Sequence, residues 1–202
     1  TSDGGSVSPK QITVEGNQID CIALNQPVYP GGPSTSVGWS GIYVAGYDAT
    51  PALDVKIIGN RVNGCGSSTT VAGSPEGSIE VGGVQTADIS DNNISAGRYM
   101  GIVTYGTFSG KIENNEFNTI TDGPIGTQNN LIWIASNTQQ VLVSGNFGNS
   151  SSSYAFCTTT QGGGFGIGMA RSNYFFNLTG TYNTTSPCIG SGAVTDLGAS
   201  FP

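Results

Sequence analysis

The acidic residues of this chain are its first candidates for catalysis, because paired carboxyl groups can hydrolyse a glycosidic bond. The sequence contains 13 Asp and Glu, 6 Lys and Arg, and no His. Glycoside hydrolysis generally uses two carboxyl groups about 5–9.5 Å apart, one as an acid and the other as a base or nucleophile. Glu113 and Glu116 flank a predicted bend. Glu76 and Glu80 flank a predicted strand, and Asp122 lies in a predicted loop. Neither pair carries a motif, so the catalytic residues stay unassigned.

A lyase, which cleaves a polysaccharide by elimination, would use different side chains. Removal of a proton beside a uronate carboxylate requires a base and a cationic group that holds the substrate. Arg98 and Tyr99 are the one adjacent pair of this kind in the repeat region. Because the chain has few cations and a formal charge of −7, binding of a polyanionic substrate is electrostatically unfavourable. The sequence leaves catalysis undecided and favours binding over catalysis, and hydrolysis over elimination.

An eight-residue phrase recurs along the chain and defines the elements that must position these groups. Each copy alternates apolar and polar residues and continues with a small or turn-prone residue, an Asn and another apolar residue. The copies span residues 12–19, 55–62, 87–94 and 110–117, with a looser one at 141–146. The alternation predicts a strand with one buried face, and the small residue before Asn predicts a sharp bend.

A second phrase, at residues 41–46, 77–82, 101–106 and 130–135, alternates with the first. Units of fixed internal spacing joined by variable loops are typical of solenoids, because one unit cannot bury its apolar face alone. We therefore predict an all-β chain, folded as a single-stranded right-handed parallel β-helix. The Asn residues of the bends would form a ladder: Asn17, Asn60, Asn92, Asn115 and Asn146. The alternative is an antiparallel sandwich in which the Gly-Asn turns are coincidental.

The facing of these strands predicts a ligand surface. The residues expected to fill the bore are Ile42, Ile79, Ile102 and Ile132, and those expected outside on the same face are Tyr43, Glu80, Val103 and Trp133. Aromatic rings on a rigid β surface can stack on sugar rings, while nearby polar groups bond the hydroxyls. The predicted ligand-binding residues are Trp39, Tyr43, Tyr47, Asp48, Glu80, Arg98, Tyr105 and Trp133. The alternative is that these aromatics pack under loops or between subunits.

The chain divides into a regular and an irregular part. Residues 1–147 are predicted to hold the coils, with a long loop near 23–39 where prolines and glycines interrupt any strand. The pattern decays after Asn146. We predict that residues 148–202 form further coils or an atypical β-rich cap, because the last coil of a solenoid exposes an apolar layer and unpaired strand edges. The alternative role of this segment is oligomerisation.

Composition excludes several classes of partner. The charge of −7 argues against nucleic acid and anionic membranes, and no apolar run is long enough to cross a bilayer. No cofactor motif is visible. The four cysteines lack metal-ligand spacing, so we expect no metal: Cys21, Cys65, Cys157 and Cys188. Cys157 with Cys188 is the favoured disulfide, and free thiols are an equal alternative.

The paired phrases resemble the parallel β-helix repeats of the pectate-lyase-like superfamily, over residues 12–147. Within it, the low charge, the abundance of Gly, Ser, Asn and Thr and the short coil stack look most like the receptor-binding region of a bacteriophage tailspike. The resemblance implies a homotrimer on the virion tail that binds a host surface polysaccharide of the O-antigen or capsule type. Such helices also occur in hydrolases, lyases and adhesins, so the alternatives are a polysaccharide-degrading enzyme and a secreted adhesin or spacer. No catalytic motif of the family maps onto this sequence.

Overall fold

A computed structural model describes residues 10–21, 40–46, 52–66, 77–97, 100–106, 108–120, 129–134, 138–150, 153–158, 167–178, 180–182 and 194–196. These residues form nineteen short strands. In chain order the strands are β1 (Gln11–Glu15), β2 (Gln18–Asp20), β3 (Ile42–Ala45), β4 (Ala52–Ile58), β5 (Arg61–Asn63), β6 (Gly77–Gly82), β7 (Val84–Ser90), β8 (Asn93–Ser95), β9 (Met100–Tyr105), β10 (Phe108–Glu113), β11 (Glu116–Asn118), β12 (Asn129–Ile134), β13 (Thr138–Ser144), β14 (Phe147–Asn149), β15 (Ser153–Thr158), β16 (Ile167–Arg171), β17 (Tyr174–Phe176), β18 (Gly180–Tyr182) and β19 (Val194–Asp196).

Every third strand belongs to the same sheet. Sheet A contains β1, β4, β7, β10, β13, β16 and β19; sheet B contains β2, β5, β8, β11, β14 and β17; and sheet C contains β3, β6, β9, β12, β15 and β18. All pairs of neighbouring strands among the described residues are parallel. A chain that visits three sheets in turn and returns one rung further on is a parallel β-helix. The predicted fold class is confirmed, and the antiparallel sandwich is wrong.

The bore is filled because inward residues of successive strands lie in register. On sheet C the buried column is Ile42, Ile79, Ile102 and Ile132, and on sheet A it includes Ile57, Ile89, Ile112 and Val143. Side chains of a strand alternate between its two faces. A register slip of one residue would therefore turn a whole column towards solvent, which fixes the stacking.

Sheet B fills its part of the bore differently in the C-terminal coils. Its inward column runs from Phe117 through Gly148 to Phe175, so a glycine separates two buried rings. A Cβ atom on Gly148 would lie 2.5 Å from Leu131 Cδ1 and 2.7 Å from Phe175 Cδ1. The large rings thus occupy the space that the glycine leaves, and overpacking at this position would be destabilising.

The corner between sheets A and B is built alike in successive coils. A residue with positive φ, such as Gly59 (66°) or Asp91 (57°), precedes a buried Asn. The backbone N–H of Asn115 and its Nδ2 both donate to Asn146 Oδ1, at 2.9 and 3.0 Å, and Nδ2 also donates to the Ile89 carbonyl at 2.9 Å. Asn115 Oδ1 in turn accepts from the N–H and Nδ2 of Asn92. The amides that repeat this arrangement are Asn17, Asn60, Asn92, Asn115, Asn146 and Asn173.

The coils continue past the decay of the sequence pattern. The expected boundary between residues 147 and 148 falls inside β14, and strands β14 to β19 extend the same three sheets. Asn173 adds a sixth rung to the amide ladder, because its Oδ1 accepts from Asn146 and its Nδ2 donates to the Val143 carbonyl. The phrase is obscured there because Ser172 supplies the positive φ and aromatic residues replace valine and isoleucine.

A disulfide joins the first two coils. Cys21 follows β2, Cys65 follows β5, and their Cα atoms are 5.0 Å apart. This pair was not predicted from the sequence. The favoured pair, Cys157 with Cys188, lies outside the described side chains, as does the predicted loop near 23–39.

Candidate functional site

Several predicted site residues lie outside the described part of the chain. They are Trp39, Tyr47, Asp48, Glu76, Arg98 and Asp122. The described candidates on sheet C are Tyr43, Glu80, Tyr105 and Trp133, and those on the other sheets are Glu113 and Glu116.

The predicted outward column of sheet C is in register but largely buried. Tyr43, Glu80, Val103 and Trp133 lie opposite one another on β3, β6, β9 and β12. Tyr43 is 60% exposed, whereas Glu80 is 8% and Trp133 is 7% exposed. Val103 and Trp133 pack with Met100 and Tyr105 in an apolar cluster separate from the bore. The expectation of an exposed aromatic column therefore holds for Tyr43 and fails for Trp133, because the outer apolar side chains are themselves packed together.

Tyr43 is the exposed end of a hydrogen-bonded group that we call the tyrosine cluster: Ser40, Tyr43, Glu80 and Tyr105. The hydroxyl of Tyr105 donates to the hydroxyl of Tyr43 at 3.1 Å, and Ser40 Oγ donates to Glu80 Oε2 at 2.9 Å. Glu80 lies opposite Tyr43 on the neighbouring strand and interacts with Tyr105, so the group runs from an exposed ring to a buried carboxylate. Ser40 was not predicted, since it lies just before the second phrase and belongs to no repeat.

Burial dominates the electrostatics of Tyr105. Burial, the hydrogen bond with Tyr43 and the charge of nearby Glu80 all raise the pKa of Tyr105 far above its ordinary value. A phenol with a raised pKa keeps its proton and is a poor general base. Tyr105 is therefore suited to donating a hydrogen bond, rather than to removing a proton from a substrate.

A glycine lets Tyr105 reach the first coil. Gly82 is opposite Tyr105 on the neighbouring strand, and the Tyr105 ring lies directly over it. A Cβ atom on Gly82 would overlap the ring, approaching Cδ2 to 2.6 Å and the next two ring atoms more closely. Any side chain at position 82 would displace the ring, so Gly82 positions the hydroxyl against Tyr43.

The candidate carboxylates Glu113 and Glu116 are separated by the Asn corner. Glu113 ends β10 on sheet A and interacts with Lys111 Nζ at 3.1 Å and Ser144 Oγ at 2.7 Å. Glu116 begins β11 on sheet B and accepts from two amides of that sheet, at 2.7 and 2.8 Å. The two carboxylates thus lie on different sheets, each in its own surface network.

The outer face of sheet A carries a polar ladder. Lys111 bridges Asp88 at 3.2 Å and Glu113 at 3.1 Å, and hydrogen bonds to these carboxylates, Glu113 first, raise the pKa of Lys111. Ser90 Oγ also donates to Asp88 at 2.7 Å. Exposed pairs of this kind contribute at most about 1 kcal/mol each. This face is therefore a solvated structural surface.

Sequence reasoning missed a group of exposed aromatics on sheet B. Phe147 and Tyr174 are opposite each other on β14 and β17, and are 42% and 53% exposed. Phe176 lies two residues beyond Tyr174 and contacts Phe147 edge to face, with ring centroids 5.0 Å apart. The sequence does contain a signal for these exposed rings. Phe147 directly follows Asn146 and Tyr174 directly follows Asn173, and each is followed by an inward residue.

Other features of the described residues bear on cofactors and membranes. No three Cys, Asp or Glu side chains among them are grouped as ligands for a metal ion. None of them forms a helix with the length and apolarity needed to cross a membrane. Comparisons of the chain with protein-family models, curated proteins and solved structures found no match.

Proposed function

We propose that this chain is a carbohydrate-recognition domain that attaches its bearer to a cell-surface polysaccharide, in the manner of a bacteriophage tailspike. The observation that carries the proposal is the exposed Tyr43 ring, tied by the Tyr105 hydroxyl to a cluster that contains the buried Glu80 carboxylate. The aromatic face suits the C–H face of a sugar, and the neighbouring polar atoms suit its hydroxyls.

Rigidity supports this function. Tyr43 lies on a strand paired with the next coil, and its hydroxyl is fixed by Tyr105 at 3.1 Å. A ligand that stacks on this ring does not have to immobilise a mobile side chain, so less conformational entropy is lost on binding. A rung of a β-helix is accordingly a suitable support for a ligand whose individual contacts are weak.

Charge restricts the ligand. The chain carries a formal charge of −7, and the tyrosine cluster itself contains a carboxylate. Polyanionic polysaccharides would be repelled, whereas uncharged or weakly basic ones would not. We therefore propose an O-antigen-like or capsule-like polysaccharide of low charge on the host cell.

The proposed carrier is a tailspike, in which three copies would stand side by side on the virion tail. The repeats that resemble this family support the carrier, and a solution mass three times that of one chain would test it. The Cys21–Cys65 disulfide supports the alternative, a secreted protein, because disulfides persist mainly in oxidising compartments. A monomeric mass would contradict the tailspike carrier and leave carbohydrate recognition to be tested on its own.

The decisive experiment measures binding to a glycan array and to host cells. Tyr43→Ala should weaken binding at least tenfold, and Tyr43→Phe should weaken it less because the ring remains. Gly82→Ala should also weaken binding, by displacing the ring of Tyr105. Tyr154→Ala, on the same sheet, is the matched control. Unchanged binding by both Tyr43→Ala and Gly82→Ala would refute the site.

A polysaccharide depolymerase is the second candidate, favoured by the position of Glu80. A carboxylate that is 8% exposed beside two tyrosines has surroundings typical of a catalytic acid. Hydrolysis would need a second carboxylate, and Glu76 is the nearest candidate in the sequence. Incubation with host polysaccharide and measurement of new reducing ends tests this activity. Glu80→Gln should abolish product formation, and an active Glu80→Gln variant would exclude Glu80 as the catalytic acid.

A further inference from the structure

The outer face of sheet B changes its chemistry towards the C-terminal end. Two columns of outward residues run along this sheet in register. Over the first four coils they carry Gln18, Arg61, Asn93 and Glu116 in one column and Asp20, Asn63, Ser95 and Asn118 in the other. Over the next two coils they carry Phe147 and Tyr174, and Asn149 and Phe176. Polar residues normally cover the solvent face of a sheet, so three aromatic rings in adjacent outward positions call for an explanation.

These three rings form a continuous surface, which we call the aromatic platform: Phe147, Tyr174 and Phe176. Phe147 and Tyr174 are neighbours across a parallel pair, and the edge-to-face contact of Phe147 with Phe176 fixes both rings at 72° to each other. Phe175, between the two outward residues of β17, faces the bore and packs against Phe156. The core therefore holds this strand in place without using the platform.

Polar groups border the platform and are held in fixed positions. Glu116 adjoins Phe147 in the same column and accepts from Asn93 and Asn118 at 2.7 and 2.8 Å. Asn149 adjoins Phe176 and accepts from Asn177 at 3.1 Å. Each of these side chains has hydrogen-bonding capacity beyond the contact described. An apolar stacking surface beside oriented amides and a carboxylate is the arrangement that recognises a sugar.

We propose that the aromatic platform is a second carbohydrate-binding site, which takes an uncharged polysaccharide. A sugar ring stacks on Tyr174 and Phe147, and its hydroxyls bond to Asn149 and Asn118. The carboxylate of Glu116 borders the platform, so an anionic sugar is disfavoured here as at the tyrosine cluster. The ligand class rests on the proposed function, whereas the location does not.

The two sites cannot serve the same sugar residue. Tyr43 lies on sheet C in the first coil, and Tyr174 lies on sheet B in the sixth. Five steps between rungs of about 4.8 Å separate them by roughly 24 Å along the helix axis, and they also lie on different faces. One protein chain can therefore hold two polysaccharide chains, or two distant parts of one. Linked sites of this kind raise the overall affinity without any new contact.

A second copy of the protein is the rival occupant of the platform. Exposed aromatic residues also form subunit interfaces. The polar columns that continue the platform and the Glu116 carboxylate at its edge favour the sugar, because sugar hydroxyls can bond these side chains. We therefore assign the platform to a polysaccharide and treat self-association as an outcome of the test.

Affinity electrophoresis in gels containing dextran, mannan or galactan provides the test, with polygalacturonate as the anionic control. The platform variant is Phe147→Ser with Tyr174→Ser, the cluster variant is Tyr43→Ala, and Tyr154→Ser is the control. For a polymer that retards the wild type, we expect the platform variant to lose at least tenfold in affinity, with an unchanged melting temperature. The wild type should also cross-link this polymer and increase light scattering, whereas either variant should not.

The outcomes separate the two sites. Unchanged retardation of the platform variant by each such polymer would overturn the platform, while loss of retardation in the cluster variant alone would support the tyrosine cluster. Loss in the platform variant alone would support the platform and contradict the cluster. An oligomer that becomes monomeric in the platform variant would identify a subunit interface and overturn the proposal. A wild type that none of the polymers retards would overturn both sites.

Discussion

The Asn corner and the tyrosine cluster are both polar groups built across stacked rungs, yet they differ in how their hydrogen bonds are satisfied. At the corner, the amide of Asn115 is buried, and both its oxygen and its nitrogen bond other protein atoms. In the cluster, the bonds lead to Tyr43, whose ring and hydroxyl reach solvent. A polar network that is closed on itself contributes to stability, whereas one that ends at the surface can exchange water for a ligand. This contrast predicts which substitutions will change stability and which will change binding.

The largest effect on stability should come from the corner. Asn115→Ala removes the acceptor of the Asn92 N–H and the amide donor to the Ile89 carbonyl, whereas Asn92 Nδ2 and Asn146 Oδ1 each keep one bond. Since each such group costs about 1–3 kcal/mol, we expect the free energy of unfolding to fall by about 4 kcal/mol. Urea denaturation measures the change, and Asn118→Ala on the surface of sheet B is the control. A loss below about 1 kcal/mol would contradict a structural role for the ladder.

The disulfide should have the next largest effect on stability. It joins the first two coils, where the Asn ladder ends. Asn17 in the first rung is exposed, so its amide has less to contribute than buried members. Cys21 and Cys65 close a loop of 44 residues, which corresponds to a stabilisation of about 3–4 kcal/mol in the chain-entropy treatment. A variant with both cysteines replaced by Ser should lose about 3 kcal/mol in urea denaturation. Unchanged stability would mean that the first coil is held by its strand pairing alone.

A smaller gain is expected where a polar group in the bore has no partner. Thr104 is buried opposite Val81 and Ile134, and its Oγ1 has no hydrogen-bond partner among the described residues. Thr104→Val replaces the hydroxyl by a methyl group of similar size and should raise the free energy of unfolding by about 1 kcal/mol. Thr86→Val, at an outward position of sheet A, is the control and should give no such gain. A destabilised Thr104→Val variant would indicate that the hydroxyl is bonded.

The smallest effect concerns pH and belongs to the cluster. Because the pKa of Tyr105 is raised in the folded protein, the unfolded chain releases this proton first as the pH rises. The contribution of Tyr105 is therefore complete below about pH 10, the pKa of a free tyrosine, and is lost as the pH rises towards the folded pKa. Denaturation at pH 9 and 11 should show a smaller loss of stability in Tyr105→Phe than in the wild type. Tyr154→Phe is the control, and an equal loss in both variants would contradict the raised pKa.

Much of the fold could be predicted from the sequence because the repeat fixes it. Alternation around Ile57 and Ile89 predicts inward columns, and the Asn that follows each bend predicts the ladder corner. Asn173 was missed because Ser172 replaces the usual Gly, Asp or Asn before it. The Cys21–Cys65 pair was also missed, although the two cysteines lie four and five residues after Asn17 and Asn60, and an alignment of coils would have brought them together.

The candidate site was less predictable, because exposure is a tertiary property. Register places Tyr43 and Trp133 in the same column, but only the packing of Trp133 against Met100 and Val103 decides that its ring is buried. The contact of Tyr105 with Tyr43 depends on the absence of a side chain at Gly82, which is three strands from either tyrosine in chain order. A period of two gives the direction of a side chain, and the neighbours across the sheet determine its accessibility.

The uniform corner has a consequence for protein engineering. Asn92 and Asn115 are 23 residues apart and occupy equivalent places in successive coils. Tandem duplication of residues 93–115 would give the new coil its own ladder amide at the correct place. The domain could thus be lengthened in increments of about 4.8 Å. The number of coils would then set the distance between two ligands grafted onto the domain.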